Sequence, residues 1–161
     1  MDKSASPSSV LELPRLERML LWSIRTWGAY HDAPHTVWPI LQRVFTDAGV
    51  RPALEPFAEL MCGLFGGLQR WPDIRCVRCL HLGSDELALL QLLADAAEQS
   101  HADLARRLRG IMLPTAARGA AHAAQAVMQV IHRAGLRLRR PTSTAGPTWP
   151  SEFQAQHPIF H

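Results

Sequence analysis

From Ser84 to Met112 the residues Leu87, Leu90, Ala94, Ala97, His101, Leu104, Leu108 and Ile111 advance by steps of three and four. That spacing places them on one narrow stripe of an α-helix, and such a stripe is stable only against another helix. Pro114 closes the run. Ser100, followed three residues later by Asp103, carries a helix-start signature inside it. One long helix and two helices in series therefore both satisfy the pattern.

The same period runs through most of the chain. A first helix from about Pro14 to Trp27 is predicted to bury Leu16, Leu20, Ser23 or Ile24, and Trp27. A second, from Asp32–Pro34 to Ala48, presents Val37, Leu41, Val44 and Phe45 and is ended by Gly49. Pro39 offers no N–H, which predicts a start nearer Val37 or Trp38, or a kink. A third, from about Ala53 to Trp71, carries Phe57, Leu60, Met61, Leu64, Phe65, Leu68 and Trp71 on its stripe. Gly63, Gly66 and Gly67 lie mostly off that stripe and predict close helix contact or fraying near Gly66. The last helix, Thr115 to Leu136, has a small-residue seam of Ala117, Ala120, Ala124, Val127, Ile131 and Ala134. Its opposite side, with Arg118, His122, Gln125, Gln129 and Arg133, faces water.

Between the third helix and Ser84 the chain is irregular, apart from a brief alternation over 75–82 that would allow a short strand. Ser84 reads as an N-cap, with Asp85 and Glu86 as first-turn acids complementing the helix dipole. The expected fold is an all-α bundle of five or six helices, with the Ser84 and Thr115 helices as an antiparallel hairpin around Pro114. Residues 1–12 form a flexible N-terminal tail, 13–140 the helical domain, and 141–161, with prolines at 141, 147 and 150, an extended tail.

A chain of 161 residues buries about two-thirds of its unfolded surface in one core and needs no metal or disulfide to fold. Hydrophobic residues at 47% against 19% charged argue for a globular protein over a disordered one. The longest apolar runs, such as Met19 to Ile24, are closed off by Arg18 and Arg25, so no membrane span is expected. The N-terminus has an early acid and no apolar segment with a cleavage site, which points to the cytoplasm, where Cys62, Cys76 and Cys79 stay reduced. Lys3 is the only lysine against sixteen arginines, a bias of GC-rich bacterial coding.

The segment Asp73 to Glu86 concentrates the potential chemistry. Cys76, Cys79 and His81 have the first half of a zinc-ligand pattern, for which Cys62, His31, His35 or His101 would have to supply the missing ligand. The blander reading is small buried cysteines in a connecting loop, and no cofactor is expected. Thiol exchange is a further reading, supported by Arg75 and Arg78 and weakened by the absence of a helix start at Cys76. His31 to His35 reads as a turn with Asp32 capping the second helix, because Pro34 keeps the two imidazoles from aligning. His101, on the seam, reads as a core histidine able to sense pH or fix register. Arg133, Arg137, Arg139 and Arg140 crowd a helix end. They complement its dipole, or contact phosphate in an arginine-rich nucleic-acid binder. There is no nucleophile elbow, Walker loop, dinucleotide fingerprint or zincin motif, and Gly63-x-x-Gly66-Gly67 follows no strand.

Leu16 to Thr26 (Leu-Glu-Arg-Met-Leu-Leu-Trp-Ser-Ile-Arg-Thr), Asp32-Ala33, Arg51-Pro52 to Leu60, and a cysteine-containing loop leading into Ser84-Asp85-Glu86 together resemble a group of small uncharacterised alphaproteobacterial helical proteins. The likeness spans Leu13 to Ala97. It implies a bacterial, all-helical protein and brings no activity, cofactor or site residue.

The expected function is non-enzymatic: a cytoplasmic interaction or regulatory protein working through helical surfaces, most simply as a homodimer. Leu104 and Leu108 on the long seam and Trp149, Phe153 and Phe160 in the tail are the candidate partner-binding residues. The competing readings are the metal or thiol protein and the nucleic-acid binder.

Overall fold

The computed structural model describes residues 7–141. Among them are six α-helices: α1 Arg15–Ala29, α2 Pro34–Asp47, α3 Leu54–Gly67, α4 Ser84–Ala96, α5 His101–Leu108 and α6 Pro114–Arg133, with 3₁₀ turns at Val10–Glu12 and Arg51–Ala53. The all-α architecture follows the periodicity. Helix α6 is the hub, packing against α3, α4 and α5. Its Ala117, Ala120, Ala121, Ala123 and Ala124 are all buried, and Gly67 shows why the side chains there must be small. A Cβ on Gly67 would stand 2.7 Å from the Cβ of Ala116 and 2.8 Å from Cε of Met112. The aromatic part of the core lies on the other side, where Phe45 and Phe57 pack at 5.3 Å and Trp27 meets Phe57 edge-on at 6.5 Å.

Several boundaries differ from expectation, each for a local reason. The seam from Leu87 to Ile111 is two helices. Ser100 accepts a hydrogen bond from Asp103 N–H and restarts the chain as α5, while Ala97 and His101, expected on the buried stripe, are exposed. His101 is thus no core histidine; its Nε2 lies 3.3 Å from the carbonyl of Arg118. The short hairpin around Leu113 and Pro114 joins α5 to α6, and α4 packs on α6 separately. Helix α2 begins at Pro34 and runs through Pro39 to Asp47. Pro39, the sixth residue of α2, forgoes one backbone hydrogen bond and the helix continues through it. Ala33, not Asp32, occupies the cap position and no side chain caps it. Helix α3 stops at Gly67, so Trp71 leaves the core and is 52% exposed.

Helix α6 stops at Arg133, where Gly135 at φ +78° lets Gly135 and Leu136 N–H bond back to His132 and Ile131; Ala134 is exposed. At the two ends of the domain, expected tail residues are built in. Ser9 bridges His81, with Val10 N–H donating to Leu80 O and Leu82 N–H to Ser8 O. Residues 8–12 are therefore part of the folded unit, and the brief alternation over 75–82 amounts to this bridge. Pro141 is buried, and its carbonyl accepts from Gln91.

Candidate functional site

The loop from Leu68 to Gly83 lies over the N-terminus of α4, and the residues that hold it there are acids of the first turn. Gly83, not Ser84, is the N-cap. Its lack of a side chain allows close approach, since a Cβ there would lie 3.1 Å from the carbonyl of Asp73. Glu86 reaches back to Gly83 N–H at 2.9 Å, as the third residue of a capping box does. Asp85 and Glu86 stand in the first turn of α4 as expected, and both are fully buried.

Glu86 is matched by Arg25 of α1, 2% exposed. Arg25 Nε donates to Oε1 at 2.7 Å and Nη2 to Oε2 at 2.9 Å, the bidentate geometry that suits a guanidinium to a carboxylate. Its remaining donors reach the carbonyls of Cys79 and, at 2.8 Å, His81. Arg75 N–H completes the carboxylate's shell at 2.9 Å. The hydrogen bonds that Arg25 donates to Glu86 raise its pKa above the ordinary value against the opposing effect of burial, and coulombic attraction to the same carboxylate adds to them. Beside this pair, Asp85 accepts from Arg70 Nη1 at 2.8 Å and Nη2 at 3.0 Å and from Asp73 N–H at 2.6 Å. Two adjacent acids thus fasten the loop at both ends. Asp95, near the other end of α4, is bound by Arg107 at 2.6 Å and Arg140 at 3.3 Å.

Cys76 and Cys79 stand on opposite corners of one turn, closed by Cys79 N–H to Cys76 O at 3.0 Å. Cys76 is exposed and Cys79 half-buried, and both are free thiols. His81 is exposed on the adjoining bridge, with its carbonyl turned to Arg25. The proposed outer ligands are scattered. Cys62 is exposed on α3, and His31 packs its ring 4.4 Å from that of Trp71 and 6.3 Å from that of Phe65. Among the described residues no group of three or more His, Cys, Asp or Glu side chains stands close enough to hold a metal ion.

Leu104 and Leu108 are 0% and 1% exposed. They fill the core of their own chain, so they cannot also form a seam with a second copy, which corrects the expectation drawn from the length of the stripe. Arg133 ends α6, and Arg137, Arg139 and Arg140 line a cleft of about 660 Å³ that also holds Asp95 and Glu98. The arginines thus face acids as well as solvent, and Arg139 N–H is tied to Glu17 at 2.6 Å. Trp149, Phe153 and Phe160 lie outside the described residues.

Periodicity did not single out Met19 and Trp22 on the outer face of α1, and it placed Leu16, which is half-buried, on the core stripe. Leu16, Met19, Val44 and Leu136 line a cleft of about 440 Å³ between α1 and α2, with Arg15 and Asp47 on it as well. Met19 also lines a second cleft of about 350 Å³, together with Trp22, Val10 and Val77. Met19 lies on both clefts, so the two adjoin as a trough along α1, the second of them lined by Arg18 and Arg25 as well. Among the described residues no helix is long and apolar enough to cross a membrane. Comparison with family models, curated proteins and solved structures finds no match to this chain.

Proposed function

We propose that this is a non-enzymatic bacterial interaction protein of the cytoplasm, acting as a homodimer whose contact surface is the trough along α1. The observation that carries the reading is the trough itself. Leu16, Met19 and Trp22 follow one another at helical steps and are only partly covered by the chain's own packing. Of the buried acids, Asp85, Glu86 and Asp95 are each held in an ion pair of the scaffold, and Glu17 accepts Arg139 N–H with one of its oxygens.

A second copy is the occupant that the charges favour. Arg15 and Asp47 lie on the same cleft, and no ion pair joins them within one chain among the described residues. A two-fold axis across α1 would set Arg15 of each copy against Asp47 of the other, the self-complementarity that an isologous interface requires. Trp22 supplies the aromatic anchor and Met19 the adaptable filler.

Sedimentation of the full chain at micromolar concentration should give a dimer. Met19→Glu should give a folded monomer. Arg15→Asp and Asp47→Arg should each weaken the dimer, and the two together should restore it. A wild-type monomer, or a dimer indifferent to all four variants, would contradict the reading.

A further inference from the structure

We propose that Cys76 and Cys79 form a reversible intrachain disulfide across their turn, making the loop clamped by Arg25 a redox-modified site. The turn places them at its first and fourth positions, joined by the 3.0 Å hydrogen bond from Cys79 N–H to Cys76 O. A turn of this kind holds its end Cα atoms within about 7 Å, and disulfides span Cα separations of about 4.4–6.8 Å. Both thiols are free and at least partly exposed, so an external disulfide can reach them. Cys62 sits within α3, away from any cysteine three residues off, and stays a lone thiol.

The oxidant is a low-molecular-weight disulfide of the glutathione class. The thiolate of exposed Cys76 attacks one of its sulfurs, breaking that S–S bond and releasing one thiol. Cys79 then attacks the mixed disulfide on Cys76, the protein S–S bond forms, and a second small thiol leaves. Two electrons and two protons have passed to the oxidant.

The bridge would act on the fold through one atom that the structure already uses. The carbonyl of Cys79 is a ligand of Arg25, and the chain immediately after it carries the Ser9–His81 bridge. Fixing the turn therefore stiffens the loop's attachment to α1 and to residues 8–10.

The test is equilibration of the full-length Cys62→Ser protein with reduced and oxidised glutathione, read by intact mass and by alkylation of the remaining thiols. The expected product has lost two hydrogens and has no alkylatable cysteine, and the change reverses with excess reduced glutathione. Its equilibrium constant in native buffer should exceed that in urea by about tenfold or more, because the folded turn presents the pair. Native oxidation should also slow amide exchange over 79–82, an effect absent in Cys76→Ser. Stable glutathione adducts without the bridge, equal constants in buffer and urea, or zinc co-purifying on these thiols and blocking oxidation until it is chelated would each overturn the proposal.

Discussion

The contact between α3 and α6 and the attachment of the 68–83 loop are both close and buried, but they are made of opposite materials. At the first, Gly67 faces Ala116 and Gly63 faces Ala120, so small residues let the two helices approach closely. At the second, irregular backbone is held down by Arg25, Arg70, Asp85 and Glu86. A helix satisfies its own backbone, so apolar shape is enough to dock it. A loop does not, and its N–H and C=O groups need fixed partners when water is excluded. The carboxylate of Glu86 takes two such N–H groups, from Arg75 and Gly83, and Arg25 takes two carbonyls.

If that contrast is right, the two regions should fail differently. Removing one charge of the buried pair leaves the other without a partner, so Glu86→Ala should cost about 3–5 kcal/mol of unfolding free energy, seen in urea melts. Arg25→Lys should recover only part of the wild-type value, since an ammonium cannot bind bidentately and reach two carbonyls. Gly67→Ala, on the apolar side, should cost about 1–3 kcal/mol by forcing α3 from Ala116, with the loop's order unchanged by near-ultraviolet dichroism.

Smaller effects sharpen the boundary between helix and loop. Ser100→Ala should cost about 1 kcal/mol and fray α5 from its first turn, measurable as faster exchange at Asp103 N–H. The Arg51–Glu55 pair tests the contribution of surface charge. The Arg51 hydrogen bonds hold the Glu55 carboxyl below its ordinary range. Because the folded value is depressed, the pair's stabilisation is present above the ordinary glutamate pKa and fades as pH falls through the lowered folded value. Both side chains are open to solvent, so Glu55→Gln should change stability by less than about 1 kcal/mol at neutral pH and by nothing at strongly acid pH.

Much of the helical scaffold could be read along the chain because helices declare themselves locally. The stripe Ala117, Ala120, Ala124, Val127 and Ile131 is buried as its spacing requires, and Phe57, Leu60, Met61 and Leu64 likewise. The loop attachment was not legible in this way. Arg25 and Glu86 are separated by 61 residues, and nothing near either names the other. In α1 the expected stripe ran through Leu20 and Ile24, and only the structure shows that Leu21 and, four residues on, Arg25 are buried as well. In α4, acids in a first turn ordinarily face solvent, and only the loop folded over them makes Asp85 and Glu86 interior. The α1 trough was hidden for a related reason, since Leu16, Met19 and Trp22 share a helix with true core residues. Only the placement of α2 and residues 8–10 separates covered positions from open ones.

Hydrogen exchange on the doubly neutralised chain Arg25→Met/Glu86→Gln tests most directly whether buried charge is what holds the loop. The substitution removes both charges together, so no unpaired ion remains to unfold the bundle. Amides of residues 74–83 should lose protection by about tenfold or more, the equivalent of roughly 1.4 kcal/mol of local opening, while those of α3 and α6 keep theirs. Unchanged protection across 74–83, or an equal loss in the loop and in both helices, would contradict the account.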